Sequence, residues 1–422
     1  MKAKVLKRTT CRLCESSNVE MAVKLEPIPL TEKYLTQDQL NDETHLYDID
    51  LFMCLDCGHV QIFDIIDPLV LWDNFTFRSG QAQIIIDHLN DVAKDTINTF
   101  KIPEGSLVVD VGSNDGTLLR GFKNQGMNVL GIDPATTIAK EAIASGIPTL
   151  INFFNYDLSL KIKAENGPAK IVCCFNAFAH ADNLNELAKG IQNLLSEDGI
   201  FVFEVEYLVD IVDDIVLGAI IHEHLSHHSV KPMASFLNKN GMELIDVKRN
   251  PFQGGSFIGI AQKIGGPRVI NKCVDELIKF EEDNGFTQPS KIKSLGDRLI
   301  VLKNQLGELI KEWKSQHYEI AGYGAARSGP TLTAQLHLGD KIDFIVDNHP
   351  QKVNKFTPGD RIPVLPTVKL LERLPKYTII LAWVHAKKII RDNLEYLNQG
   401  GNFVLVCPEV KIINSQNYTS FI

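Results

Sequence analysis

Three groups of residues in this chain have types and spacings that could do chemistry. Cys11-x-x-Cys14 and Cys54-x-x-Cys57 form the first. Each pair makes a tight turn that aims two thiolates at one point, and two such turns complete a tetrahedral four-sulfur site. With all four positions filled by cysteine, the expected ion is a structural Zn2+ with no open coordination for catalysis. The second group is the strand and turn Val108-Val109-Asp110-Val111-Gly112-Ser113-Asn114-Asp115-Gly116. Glycines there let backbone N–H groups approach a ligand at the carboxyl end of a strand, where open sheets bind ligands. The third is His222-Glu223-His224-Leu225-Ser226-His227-His228. An imidazole with its ordinary pKa near 6.5 is poised to take a proton at cellular pH. Glu223 adjoins His224 and could orient or charge-stabilise a neighbour. His-x-His and paired histidines also suit zinc or iron, which is the rival reading.

The elements that must position these groups follow from the hydrophobic pattern. Residues 1 to 75 are expected to form a small zinc-binding domain with short strands of its own between Glu15 and Met53. Residues 76 to 265 alternate strand and helix: helix 81–100, strands 106–111, 128–132, 149–152 and 170–175, helix 184–195 and strand 199–204. Apolar strand runs separated by amphipathic helices imply a mainly parallel, doubly wound α/β sheet. Residues 266 to 313 read as a charged helical connector with one buried face. Residues 314 to 422 repeat the α/β theme, with strands at 318–322, 342–346, 377–383 and 402–407.

Within this frame the second strand ends in Gly131-Ile132-Asp133-Pro134, which puts a carboxylate where it can accept both hydroxyls of a ribose. The turn lacks the third glycine of the G-x-G-x-x-G dinucleotide fingerprint. Together with the acidic strand end, that favours S-adenosylmethionine over NAD. Asn176 and His180 follow the fourth sheet strand at the same end of the sheet, converging on the histidine cluster. A second glycine turn, Gly322-Tyr323-Gly324-Ala325-Ala326-Arg327-Ser328-Gly329, follows a strand of the last domain, and Asp347 ends the next. It reads as Rossmann-like, binding a nucleotide with Arg327 at a phosphate or serving only as a packing turn.

Bulk properties remove other classes. The net charge of −9 over 422 residues offers no basic excess for nucleic acid. The greasiest region, 200 to 221, carries Glu204, Glu206, Asp210, Asp213 and Asp214, too many carboxylates for a membrane span. The basic residues before Cys11 are not followed by an apolar run, so no signal peptide is expected and the reading is cytoplasmic. Cys173, Cys174, Cys273 and Cys407 are expected to be buried small hydrophobes.

The chain resembles the C-methyltransferases of deoxysugar biosynthesis, which act on nucleotide-linked 4-keto-6-deoxy sugars. The shared residues are the two cysteine pairs, the 112–116 turn, Asn176-x-x-x-His180, His222-Glu223-His224-Leu225-Ser226 and Gly254-Gly255-Ser256. They continue through Gly322-Tyr323-Gly324-Ala325-Ala326, Asp347-x-x-Pro350, Thr357-Pro358-Gly359 and Ala382-Trp383. The resemblance implies a zinc-binding domain, a central S-adenosylmethionine domain and a C-terminal Rossmann-like domain. It implies that His224 removes the proton beside a ketone, and that the resulting enolate carbon accepts the methyl group. Glu223, His180 and His222 join it as catalytic candidates. Asp110, Gly112, Asn114, Asp115, Gly116, Asp133, Pro134 and Asn176 are expected at the cofactor. Arg78, His227, His228, Gly255, Ser256, Tyr323, Arg327 and Asp347 are expected at the substrate.

Three family features are replaced. Phe75 and Phe77 stand where the family has tyrosines, Ile221 stands where it has tyrosine before His-Glu-His, and Phe257 and Ile258 follow Gly-Gly-Ser. The lost hydroxyls are natural donors to a keto or enolate oxygen, so another group, His222, His227, His228 or Arg78, has to supply the donor. Rival readings are a diverged enzyme that methylates oxygen or an unrelated keto substrate, and a non-catalytic binding protein.

Overall fold

The architecture rests on a computed structural model that describes residues 3–72 and 77–422. Phe75 and Thr76 therefore lie outside the described residues.

The N-terminal unit contains β1 (Val5–Lys7), β2 (Val19–Val23), β3 (Leu51–Cys54), β4 (Val60–Ile62) and β5 (Asp64–Ile66). β1 and β5 form an antiparallel pair, while β2, β3 and β4 form an antiparallel sheet. A fourth strand of that sheet comes from far along the chain. β11 (Ser226–His227), inside the histidine cluster, pairs with β4.

The central unit contains β6 (Leu107–Val111), β7 (Asn128–Ile132), β8 (Thr149–Leu150), β9 (Ala169–Phe175), β10 (Leu195–Glu206), β12 (Met242–Asn250) and β13 (Ser256–Lys263). The strand order is β12-β13-β10-β9-β6-β7-β8. β6 to β10 run parallel, because amphipathic helices return the chain across the faces of the sheet. One such helix, Leu184–Leu194, starts where the Asn183 side chain accepts from the Glu186 N–H, and it buries Leu184, Leu187, Ala188, Ile191 and Leu194. β12 and β13 close the sheet as an antiparallel pair beyond β10. These two strands are additions to the sequence expectation, and the Gly254-Gly255 loop is the turn that joins them.

The helix Pro289–Ser315 buries Ile292, Leu295, Leu299, Leu302, Leu306, Ile310 and Trp313, the single apolar stripe expected of the connector. Trp313 stacks on Tyr377 with ring centroids 3.8 Å apart. The last unit contains β14 (Ile320–Tyr323), β15 (Phe344–Asp347), β16 (Val364–Pro366), β17 (Tyr377–Ile380), β18 (Asn402–Leu405) and β19 (Lys411–Ile413). Its order is β16-β15-β14-β17-β18-β19, parallel except for β19. Both larger sheets reverse strand order beside their first strand, the place where open α/β sheets hold ligands.

The three units clasp one another. Tyr34 donates to the Ala325 carbonyl at 2.9 Å, and Glu26 and Gln335 exchange two hydrogen bonds. Thr331 of the last unit donates to the Ile220 carbonyl at 2.9 Å, just before the histidine cluster. Of the four unpaired cysteines, Cys173, Cys174 and Cys407 are buried as expected. Cys273 differs: it is only half-buried and its thiol meets the Asp246 carboxylate at 2.9 Å. Among the described residues no helix is long and apolar enough to cross a membrane.

Candidate active site

The two cysteine turns converge as their spacing requires. Cys11 and Cys57 sulfurs lie 3.6 Å apart and Cys14 and Cys54 sulfurs 3.5 Å apart, and all four fall within 4.8 Å of one another. Tetrahedral zinc with Zn–S bonds of about 2.3 Å demands sulfur separations of roughly 3.8 Å, so the cluster fits the ion. Gly58 adopts φ +82°, allowing the second knuckle to turn back so that its N–H reaches the Cys54 carbonyl. The Cys11 thiol is drawn down to about 5, chiefly by its contact with Cys57, with burial opposing. Among the described residues this is the one cluster of three or more such side chains close enough to hold a metal.

At the carboxyl end of β6, Gly112 has φ +80°, and a Cβ there would lie 2.5 Å from the Ala177 Cβ. The turn after β6 therefore touches the loop after β9, which carries Asn176. Asp133 accepts from the N–H groups of Asn114 and Ala135, each at 2.8 Å, which sets the orientation of its carboxylate. Asp110 is buried, and its carboxyl is pushed up to about 7, first by burial and then by Asp133. Its Oδ1 and the Ser113 hydroxyl have no hydrogen-bond partner among the described residues. Two unsatisfied buried polar groups in a glycine cradle fit a polar ligand bound there.

Asn114 and Asp115 act on a neighbouring segment. Asn114 accepts from the Ser79 N–H and donates to the Phe77 carbonyl, while Asp115 accepts from the Gly80 N–H. Residues 77–80 thus lie as a strap over the turn. Arg78, expected near the substrate oxygen, forms a two-point ion pair with Glu141 at 2.6 and 2.7 Å, on the helix that follows Asp133.

The histidine cluster is held by all three units. His224 presents Nδ1 at 2.8 Å from both the Ala219 carbonyl and a Glu206 carboxylate oxygen. Its ring stacks on His180, centroids 5.1 Å apart. Burial works against charge on His224, but Glu206 outweighs it and holds the imidazole above its ordinary pKa. His180 is driven well down, by burial first and by His224 second. Glu223 is paired with Arg327 of the second glycine turn at 2.9 Å. Arg327, read from the sequence either as a phosphate ligand or as part of a packing turn, thus meets a protein carboxylate, and the nearly buried Glu223 gains the counter-charge it needs.

Of the other three histidines of the motif, His227 lies close enough to His224 to feel its charge, whereas His222 and His228 pack against other partners. His222 lies 3.3 Å from the Tyr47 carbonyl and edge-on to the Tyr47 ring, turned to the N-terminal unit. His227 is buried in the seam of β11 with β4, His228 is buried just beyond it where it bridges to Tyr207, and burial above all lowers both to about 3. His228 sits between His59 and Phe178 at 5.4 and 5.7 Å. Ile221 is buried and Phe77 is exposed.

Two carboxylates missed from the sequence end β10. Glu206 contacts His224. Glu204 is fully buried and accepts from His88, Asn250 and Ser256 at 2.7, 2.9 and 2.6 Å. Ser256, expected at the substrate, belongs to that network. Gly255 has φ +126°, and a Cβ there would strike the Asp210 carboxylate at 2.3 Å. The signal for both glutamates was an acidic residue at every second position where an apolar strand ends.

The second glycine turn reproduces the first. Gly324 has φ +92°, its added Cβ would lie 2.5 Å from the Ala382 Cβ, and its N–H reaches the Val346 carbonyl at 2.8 Å. Gly112 makes the corresponding bond to Ile132 at 2.8 Å. Asp347 accepts from the N–H groups of Ala325 and His349, both at 2.6 Å, as Asp133 does in the central unit. A small cavity beside this turn is lined by Tyr34, Gly324, Ala325, Pro330, Thr357 and Leu381. Tyr323 places its ring edge-on to Phe403 and its hydroxyl 3.3 Å from the Asn393 amide.

A four-thiolate knuckle that fits zinc, and a glycine cradle at the head of a parallel sheet beside a paired histidine, mark a Rossmann-like α/β protein with a ligand site at the carboxyl end of its strands. Sequence models of three families match in succession: a zinc binding domain over residues 11–72, a methyltransferase domain over 85–247 and a C-methyltransferase C-terminal domain over 251–408. The C-methyltransferase NovU of Streptomyces niveus is 29% identical over 409 residues, 96% of this chain and 97% of that protein. The chain is similar along nearly its whole length to S-adenosylmethionine-dependent C-methyltransferases, and the matched domains together with the four-cysteine cluster support S-adenosylmethionine and zinc as its cofactors. Among solved structures, the PH0226 protein of Pyrococcus horikoshii aligns at 13% identity, covering 46% of this chain and 97% of that one, with a TM-score of 0.37. Magnesium protoporphyrin IX methyltransferase of Synechocystis aligns at 15% identity, covering 44% and 86%, with a TM-score of 0.33.

Proposed function

We propose that this C-methyltransferase acts on a nucleotide-linked 4-keto-6-deoxy sugar and that His224 is the base that removes the proton beside the ketone. The observation that carries the reading is the Nδ1 environment of His224. A carbonyl and a carboxylate both face that nitrogen at 2.8 Å, and neither can donate, so Nδ1 bears the hydrogen and Nε2 keeps the lone pair. A neutral imidazole so oriented is a general base suited to neutral pH.

S-adenosylmethionine supplies an electrophilic methyl group when bound. On this reading Asp110, Gly112, Gly116, Asp133, Pro134 and Asn176 shape its site, and Asn114 and Asp115 hold the 77–80 strap across it. Removal of the proton leaves an enolate whose carbon is the nucleophile, and its oxygen needs a donor. His180, stacked on the base, and the Glu223–Arg327 pair surround that position and stand in for the hydroxyls lost at Phe77 and Ile221. The nucleotide of the substrate is assigned to the second turn, where Asp347 repeats the geometry of Asp133. The proposed division is zinc-binding domain 1–75, methyltransferase domain 76–265, helical connector 266–313 and Rossmann-like domain 314–422.

The test is mass spectrometry of a panel of nucleotide-linked 4-keto-6-deoxy sugars incubated with enzyme and cofactor. A gain of one methylene on any member supports the substrate class; no gain on any member, with cofactor binding confirmed by calorimetry, removes it. The base is tested separately by following deuterium uptake beside the ketone in D2O without cofactor. His224→Ala should abolish that exchange, and retained exchange would remove the assignment.

A further inference from the structure

We propose that Glu206 is a positioning residue for the reaction, orienting the imidazole of His224 and supplying the counter-charge of its protonated form. The inference rests on the reading of His224 as the base. It goes further by assigning a task to a residue outside the His-Glu-His motif.

Three observations carry it. Glu206 is the last residue of β10 and is in register with Ser256 of β13, so its backbone is held at the carboxyl end of an interior strand. Its side chain is largely buried and its Oε2 lies 2.8 Å from His224 Nδ1. The Ala219 carbonyl at the same nitrogen is enough to select the tautomer, and the carboxylate adds a full negative charge.

The charge balance decides what that negative charge does. The charged groups acting on His224 are Glu206, Glu223 and Arg327, and the titratable neighbours are His180 and His227. Glu223 is matched by Arg327 at 2.9 Å. Both histidine neighbours are held neutral, chiefly by burial. One negative charge, that of Glu206, is left over while His224 is neutral, and it is balanced once His224 takes a proton. Charge next to a largely buried imidazole acts through a low local dielectric and favours proton uptake strongly. His224 itself sits above its ordinary pKa, in agreement with this balance.

The experiment compares wild type with Glu206→Gln, which keeps shape and removes charge. The readouts are the pH dependence of turnover, the 15N NMR titration of His224 and S-adenosylmethionine affinity. A base works only when neutral, so turnover falls on the acid side of the His224 pKa. In Glu206→Gln that acid limb should move to lower pH by about one unit, and plateau turnover should fall by up to about 10-fold as the base weakens. S-adenosylmethionine affinity should stay unchanged. An unmoved acid limb and unmoved His224 titration would overturn the proposal.

Should the variant not fold, the wild-type titration alone decides. A His224 pKa at or below about 6.5, or a hydrogen on Nε2 in the neutral form, overturns it. If His224→Ala retains deuterium exchange the base reading falls, whereas the 15N titrations still report whether Glu206 charges His224.

Discussion

The guanidinium of Arg12, between the two cysteines of the first knuckle, donates to the carbonyl of Leu225, the residue that follows His224, at 3.2 Å. The same fully buried side chain reaches the Ile62 carbonyl at 2.5 Å and the Asp182 carboxylate at 3.1 Å, two residues after His180. One arginine of the zinc knuckle thereby ties the chain segments that carry both stacked histidines. Arg12→Met should leave two buried carbonyls without that donor and lower stability by about 3 kcal/mol. Denaturant unfolding with zinc content measured in parallel checks this. A loss below about 0.5 kcal/mol would show that the contacts do not hold the segment.

Zinc removal should reach the active site by the same route. The sheet of β2, β3 and β4 is stapled by the cysteines, and β4 pairs with β11 beside His224. Structural zinc typically contributes about 10–16 kcal/mol of apparent binding energy in small domains. A strong chelator should therefore expose residues 3–72 to protease and abolish turnover together, and both should return with added zinc. Turnover that survives complete zinc loss would separate the knuckle from catalysis.

The Glu223–Arg327 pair joins the central and C-terminal units across a buried contact. Arg327→Met should cost roughly 3–5 kcal/mol because it strands a buried carboxylate, and adding Glu223→Gln should recover part of that loss. Thermal unfolding of the two single variants and the double variant measures the coupling. Strictly additive losses would mean that the contact is incidental.

Asp110 makes unliganded stability depend on pH. Its folded pKa, about 7, lies above the unfolded value of 3.8, so the folded state binds the proton more tightly. The contribution is fully present below the unfolded value and is lost as pH rises through about 7, amounting to about 4 kcal/mol in all. Asp110→Asn should flatten the stability of the unliganded protein between pH 4 and 7, raise it at pH 8, and weaken S-adenosylmethionine binding at least about 10-fold. Unfolding curves across that range, with calorimetry of the cofactor, give the answer. An unchanged pH slope would mean that Asp110 stays ionised.

Chemistry carried by short spacings was legible in the sequence. The two Cys-x-x-Cys turns, the glycine turn with Asp133 after the next strand, and the parallel copy at Gly324 and Asp347 each span a few residues or one strand-helix-strand unit. Their geometry follows from local backbone rules: glycine at positive φ, a carboxylate on the adjacent N–H groups, and thiolates aimed by a tight turn. The single buried stripe of the helix 289–315 was legible for the same reason.

The partners of the histidines were not. Their spacing put His222, His224, His227 and His228 in one cluster, yet only His224 meets Glu206 and His180. His222 turns to Tyr47, His227 becomes part of a strand that completes another unit's sheet, and His228 bridges to Tyr207. Arg12 and Leu225 are 213 positions apart, and Glu223 meets an arginine that reads equally well as a phosphate ligand. A buried charge takes whichever counter-charge the packing brings to it, and packing across three units is set by burial of apolar faces rather than by any local pattern. The sequence by itself determined which chemical groups this protein possesses, and the tertiary structure decided which imidazole became the paired one.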